Sequence, residues 1–272
     1  MLAQKLGLSL PSLKKAGGGA AFENLYSLEF GTGSGGGAID VLVVPDSDDL
    51  TPNGSGANRG WSVSFWMKTS NTRDSILGKM NGNPEAEYEF LLGRFGDLEV
   101  NLFTNTTSNK LKFGVNPFTK NMADGNWHHV LFSWDLSTSG SSGAILWIDG
   151  VEYSVATGNV TLNYSGTFTG VVNQASDLTI GFVDGINGTI QYEGFLDEIA
   201  FIDNVSTQSK ATEYYNGGTP TDLSGETYLE AYWRMGDIAG PSVFPTIEDF
   251  SSNSNDGTMT NMASSDIKTD VP

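Results

Sequence analysis

Three carboxylates recur at every second position of EAEYEF, as Glu85, Glu87 and Glu89. In an extended strand that period lines them along one face. Two carboxylates about 5 Å apart can cleave a glycosidic bond, one as acid and one as nucleophile. The spacing here works against it, because an unbulged strand rising about 3.3 Å per residue sets the backbones of Glu85 and Glu89 roughly 13 Å apart. The NGNP turn at 81–84 also places Glu85 at a strand entrance. A solvated acidic edge is the expected state of this ladder.

A second cluster, DFSSNSNDG, offers Asp249, Ser251, Asn253, Asn255 and Asp256 within eight positions. Hard oxygen ligands on a compact loop suit Ca²⁺; the alternative is a polar turn without metal. In GFLDEIAFID, Asp197 shares parity with Phe195, Ile199 and Phe201, so its carboxylate is expected on the apolar side. Burying that charge is costly unless something pairs with it, and a Ca²⁺ held between Asp197 and the 249–256 loop would do so. His128 and His129 flank Trp127 in a strand pattern with no third His or Cys at ligand spacing, so both are expected to be structural. There is no GxSxG and no Cys, and GTGSGGG lacks the helix that a dinucleotide site needs. No catalytic residue is assigned.

The elements that must position these residues are strands. In WHHVLFSW both parities carry apolar bulk, so this strand is expected to be covered on both faces. AILWI then stops at Asp149-Gly150, a dipeptide suited to a tight hairpin turn, and VEY runs back. GWSVSFWMK alternates cleanly, and YSLEF, IDVLVV, SILGKM, YEFLLGRF, LEVNLF, LKFGV, LTIGFV and GTIQYEGFLDEIAFID add further strands. SKATEYYNGG is the single short helix, ended by Gly217. Six Trp could stack on sugar rings, but most fall in strand cores where they fill volume.

The 272 residues suffice for one large sandwich. A net charge of −18 argues against a nucleic-acid groove, which needs clustered Lys and Arg, and favours divalent cations. Residues 1–22 differ from the rest: their only charges are Lys5, Lys14 and Lys15, with Leu2, Leu6, Leu8, Leu10 and Leu13 between them. Interrupted by Gln4, Gly7 and Pro11, the segment is a poor secretory signal. It reads either as a disordered tail or as an N-terminal docking arm that orders on a partner, with residues 23–272 forming the domain.

The run DGNWHHVLFSWD, followed by LWIDG and GFLDEIAFIDN, resembles the laminin-G-like and pentraxin-like jelly rolls of the concanavalin A-like lectin/glucanase superfamily. The resemblance spans about residues 26–262. It implies an all-β, two-sheet antiparallel jelly-roll sandwich and a structural Ca²⁺ near Asp197. EAEYEF is similar to the ExDxE signature of retaining β-glucanases on this fold, with Glu87 in place of the middle Asp. YLEAYWRMGD and DFSSNSNDGTMTNM resemble a segment that precedes the first strand in many such chains, which implies a permuted sandwich whose last segment pairs beside YSLEF.

The C-terminal run YNGGTPTDLS…AYWRMGD…SSNSNDGTMTNM…DVP is similar to the ends of laminin-G-like structural proteins of tailed bacteriophages. That likeness implies a non-enzymatic virion structural protein, a capsid decoration or tail-fibre component on the virion surface. It would be anchored to other virion proteins by the arm, with a trimer expected by analogy. The alternative is a carbohydrate-binding, lectin-like module for host or surface glycans; a β-glucanase is the third reading. One fold serves all three.

Overall fold

The computed structural model describes residues 22–31, 38–82, 85–138, 143–184, 191–238 and 240–272. The expected arm, with Leu2, Lys5, Leu6, Leu8, Leu10, Leu13, Lys14 and Lys15, lies outside the described residues, as do positions 32–37 of the Gly-rich loop and 188–190.

In chain order the strands are β1 Ser27–Phe30, β2 Val41–Val44, β3 Trp61–Lys68, β4 Ser75–Met80, β5 Ala86–Leu92, β6 Leu98–Phe103, β7 Lys110–Val115, β8 Trp127–Trp134 and β9 Ala144–Ile148. They continue as β10 Val151–Tyr153, β11 Val160–Ser165, β12 Leu178–Ile180, β13 Gly194–Ile202, β14 Leu229–Trp233, β15 Thr246–Ile247, β16 Gly257–Thr260 and β17 Ile267–Lys268. The helix α1 is Gln208–Tyr215. One sheet runs β10-β9-β8-β3-β13-β1-β17 with β14 also on β13; the other runs β11-β7-β6-β5-β4-β12-β2-β16-β15. Every pairing between these strands is antiparallel. The architecture is the expected sandwich.

β8 is covered on both faces, as its sequence requires. Val130, Phe132 and Trp134 enter the core between the sheets, where Phe90 meets Phe132 edge-on at 5.6 Å and Trp61 lies 5.9 Å from Phe201. On the other face Leu131 and Trp147 pack under Ala211 and Tyr214 of α1. Thr207 caps that helix by accepting from the Lys210 N–H, and Asn216, in the left-handed region, ends it one residue before the expected Gly217.

β13 departs from simple alternation. Its register to β3 passes from Asp197 opposite Trp66 to Ala200 opposite Ser64, so β13 carries one residue more than its partner, and Glu198 sits at a φ of 49°. The bulge inverts the expected parity. Ile199 and Phe201 face the core, whereas Asp197 shares the outer face with Trp66 and Ala200. The bulge also divides one flank of β13 between β1, on residues 194–196, and β14, on residues 199–202. YLEAYW therefore does not pair with β1 as expected; β17 does, and β16 pairs with β2.

The hairpin after β8 turns on Asp149 (φ 52°) and Gly150 (φ 75°). The Asp149 carboxylate accepts from the His129 backbone N–H at 3.0 Å and from Lys120 Nζ at 3.0 Å, and lies 2.9 Å from His128 Nδ1. Burial alone would raise its pKa, but the hydrogen bonds from His128 and Lys120 outweigh burial and hold the carboxyl at about 2. A carboxyl depressed in the folded state stabilises above its ordinary pKa and loses that contribution as pH falls through the depressed value. Asp149→Asn, which keeps the turn, is expected to lower stability by about 2 kcal/mol at pH 7. Chemical denaturation across a pH series should show the gap closing below pH 4 toward pH 2.

Candidate functional site

The carboxylate ladder lies on β5, which is a central strand between β4 and β6 and not an edge. This corrects the solvated edge expected from sequence. Glu85 remains at the strand entrance, accepting weakly from Asn81 Nδ2 at 3.4 Å. Glu87 is fully buried and paired with the equally buried Lys79 at 2.5 Å; it also accepts from Thr51 Oγ1 at 2.8 Å and from the Gln174 N–H at 2.8 Å. Lys79 reaches Asp46 at 2.7 Å as well. Glu89 is buried between Ser75 and Asn101, and desolvation raises its pKa. The middle carboxylate is thus spent on a buried lysine, while the outer two lie at the strand entrance and between Ser75 and Asn101.

The 249–256 turn is docked onto β14. Asp249 Oδ1 accepts from the backbone N–H groups of Tyr232 and Ser251, each at 2.8 Å, while Oδ2 accepts from Ser251 Oγ at 2.6 Å and the Asn255 N–H at 2.8 Å. Those four donors use the acceptor capacity of a carboxylate. Asn253 and Asn255 turn their amide NH₂ groups to the Glu230 carbonyl at 3.0 and 3.1 Å, and Asp256 accepts from the Asp249 N–H. Asp197 meets other partners: Oδ2 accepts from Asn24 Nδ2 at 3.0 Å and Oδ1 from the Glu198 N–H at 2.9 Å. Among the described residues no group of three or more His, Asp or Glu side chains is arranged to hold a metal ion. The residues present do not fit a Ca²⁺ shared by Asp197 and this turn. The bulge in β13 is the reason, since it aims Asp197 at Asn24.

In place of that site the structure assembles an acidic cluster under β1 that sequence reasoning passed over. Arg234 donates from Nη2 to Asp237 at 2.6 Å and from Nε to Glu198 at 3.4 Å; Tyr232 also donates its hydroxyl to Glu198. Asp237 in turn accepts from the N–H groups of Leu25 and Tyr26, both at 2.8 Å, tying down the approach to β1. Burial, and then the neighbouring Glu198, push Asp197 well above the usual carboxylate range; burial pushes Glu198 up to about 8 despite Tyr232 and Arg234. The signal available in sequence was Asp237 three residues after Arg234 in YWRMGD, but only the bulge brings Glu198 to them.

The two histidines have packing roles. His128 lies between Asp149 and Asp124, with Nε2 3.1 Å from the latter. His129 is sealed beneath α1, 5.1 Å from the Trp66 ring and 2.9 Å from Ser64 Oγ, and burial lowers its pKa to about 3.

Two measurements check these assignments. Lys79→Met strands Glu87 in the interior and is expected to cost about 3–5 kcal/mol in urea unfolding, most of it recovered when Glu87→Leu is added. Glu198, with a folded pKa of about 8 against an ordinary 4.5, takes up a proton on folding between those values, so stability falls as pH rises across that window. Glu198→Gln should flatten that slope and raise stability at pH 8 by roughly 1–3 kcal/mol.

Comparison with known proteins agrees with this architecture. A family model described as the concanavalin A-like lectin/glucanases superfamily, of laminin G type, matches residues 44–211. A candidate carbohydrate-binding protein from Bacteroides ovatus superposes with a TM-score of 0.59 at 16% identity, over 92% of this chain and 62% of that one. This chain therefore spans less than two thirds of that relative. The heptameric SAP-like pentraxin of Limulus polyphemus gives 0.48 at 16% identity, covering 74% of this chain and 87% of its own. Domains LG4–5 of the mouse laminin α1 chain give 0.46 at 15%, covering 74% and 48%. No curated protein matches the sequence. With the family match covering more than half of its length and both sheets of the sandwich in place, the chain belongs to the concanavalin A-like lectin/glucanase superfamily.

Proposed function

We propose that this chain is a non-enzymatic, lectin-like carbohydrate-binding module. The observation that carries the reading is the likeness of fold, over 92% of the chain, to the candidate carbohydrate-binding protein of Bacteroides ovatus. The interior chemistry supports it. Glu87 is neutralised by Lys79, Glu89 is sealed, and the Ser64–His129 contact is buried beneath α1. What remains is a rigid sandwich with its loops at the ends of the strands, a plan suited to holding a ligand without transforming it.

Display on a virion surface is a compatible use of such a module. Support for it comes from the resemblance of the C-terminal run and from the Leu- and Lys-bearing segment 1–22, which would dock on other virion proteins.

A glycan array probed with the full chain, with and without Ca²⁺, tests the primary reading. Binding to at least one glycan class is expected, at dissociation constants in about the micromolar to millimolar range. A uniformly blank array in both conditions would overturn it.

A further inference from the structure

A sugar ring is recognised by an exposed aromatic face that meets its C–H groups and by polar side chains at its rim. Tyr164, Tyr228 and Phe244 are part-exposed, but the most exposed aromatic side chain among the described residues has a second ring beside it. Phe118, in the loop between β7 and β8, is the most exposed large hydrophobic side chain at 80%, and Phe95, in the turn between β5 and β6, is 40% exposed. Their ring centroids are 4.4 Å apart with planes tilted by 41°.

The pair stands on a rigid base. The 93–97 turn is closed by the Gly93 N–H to the Asp97 carbonyl at 2.7 Å and by the Phe95 N–H to Asp97 Oδ1 at 3.1 Å. The facing loop is tied to it by the Met122 N–H donating to the Gly96 carbonyl at 2.8 Å, with the Met122 side chain buried in the core. Phe118 itself has a φ of 68°, in the left-handed region where a bulky L-residue is strained. Strain and solvent exposure at one aromatic residue both cost stability, and neither is offset by packing into the core. Such combinations concentrate at binding sites.

Charge indicates the occupant. Of the eleven Lys and Arg among the described residues, eight are ion-paired with carboxylates. Arg94 and Arg73 are two of the three that are not. Arg94 holds its guanidinium 5.6 Å from the Phe95 ring centroid, and the Arg73 N–H donates to the Gly93 carbonyl of the same turn. Asp97, the acid of the turn, is buried beneath it. The Arg94 guanidinium, without a carboxylate partner beside an aromatic step, favours an anion. Two rings fall far short of the roughly 800 Å² per partner of a stable protein interface, but they match one or two pyranoses.

We propose that Phe95 and Phe118 form the stacking platform of a glycan site, and that Arg94 selects an acidic sugar bearing a carboxylate or sulfate. This rests on the carbohydrate-binding reading above and gives that function a location and a ligand class.

Isothermal titration of the full chain with tetragalacturonate, 3′-sialyllactose, a sulfated disaccharide and neutral cellotetraose tests it, alongside Phe118→Ala, Phe118→Gly and Arg94→Gln. At least one acidic probe should bind the wild type at least tenfold more tightly than cellotetraose, and the carboxylated and sulfated arms tell the two anions apart. Phe118→Ala and Arg94→Gln should each lose tenfold or more. Phe118→Gly should lose binding while its melting temperature holds or rises, an outcome that a core-packing role would not give.

Glycan binding that survives all three substitutions overturns this site and leaves the lectin reading standing. No binding of any glycan, on the array or by titration, overturns both. Equal affinity for neutral and acidic probes overturns the assignment to Arg94. Concentration-dependent self-association that disappears in Phe118→Ala, without glycan binding, makes the pair a contact between copies and likewise overturns it.

Discussion

At Glu198 the backbone of β13 takes up one residue more than β3 beside it, and much of the molecule is arranged around that surplus. The extra residue turns Asp197 out of the sandwich while Ile199 and Phe201 remain in the core. It frees a single flank of β13 to accept β1 before the bulge and β14 after it. The first described strand and a late one are thereby joined without pairing to each other, and Asp237 closes the seam by holding the Leu25 and Tyr26 N–H groups. A bulge re-aims side chains locally and bends the strand that carries it. Here it sets both the connectivity of one sheet and the buried acids outside it.

Excess negative charge is the second organising pressure. A chain of net charge −18 cannot pair every carboxylate, and two of its cations are committed to buried acids. Lys79 enters the interior to meet Glu87 and Asp46, and Arg234 spans Glu198 and Asp237. Where no cation is available, backbone N–H groups serve, as they do around Asp249. Arg94, by contrast, has no carboxylate partner and stands beside the solvent-facing Phe95 and Phe118 rings.

The same frame accounts for the state of the carboxylate ladder. Of the three period-two carboxylates on this central strand, Glu87 is buried against Lys79, Glu89 is buried between Ser75 and Asn101, and Glu85 stays at the strand entrance. The solvent-facing rings lie instead in turns, whose geometry is held by backbone hydrogen bonds. A fold of this kind does not dictate chemistry; the side chains at its ends do.

Much of the fold was legible in the residues. SILGKM, LEVNLF, WHHVLFSW and AILWI are strands at the positions their alternation indicates, and Asp149-Gly150 makes the turn its φ preferences require. The family likewise follows from motifs in order. The candidate site was less legible. Parity placed Asp197 inward because alternation assumes an unbroken strand, and one inserted residue reverses every assignment beyond it. The Glu85–Glu89 ladder seemed solvated because a single strand does not reveal which neighbours flank it. Phe95 and Phe118, twenty-three positions apart, carry no local signal for each other. The sequence by itself determined the strands, their turns and the family, because these depend on side-chain period and backbone preference within a few residues. Tertiary structure alone decided which acids are buried, which cations are spent and which two rings meet, because burial and pairing are set by neighbours distant along the chain.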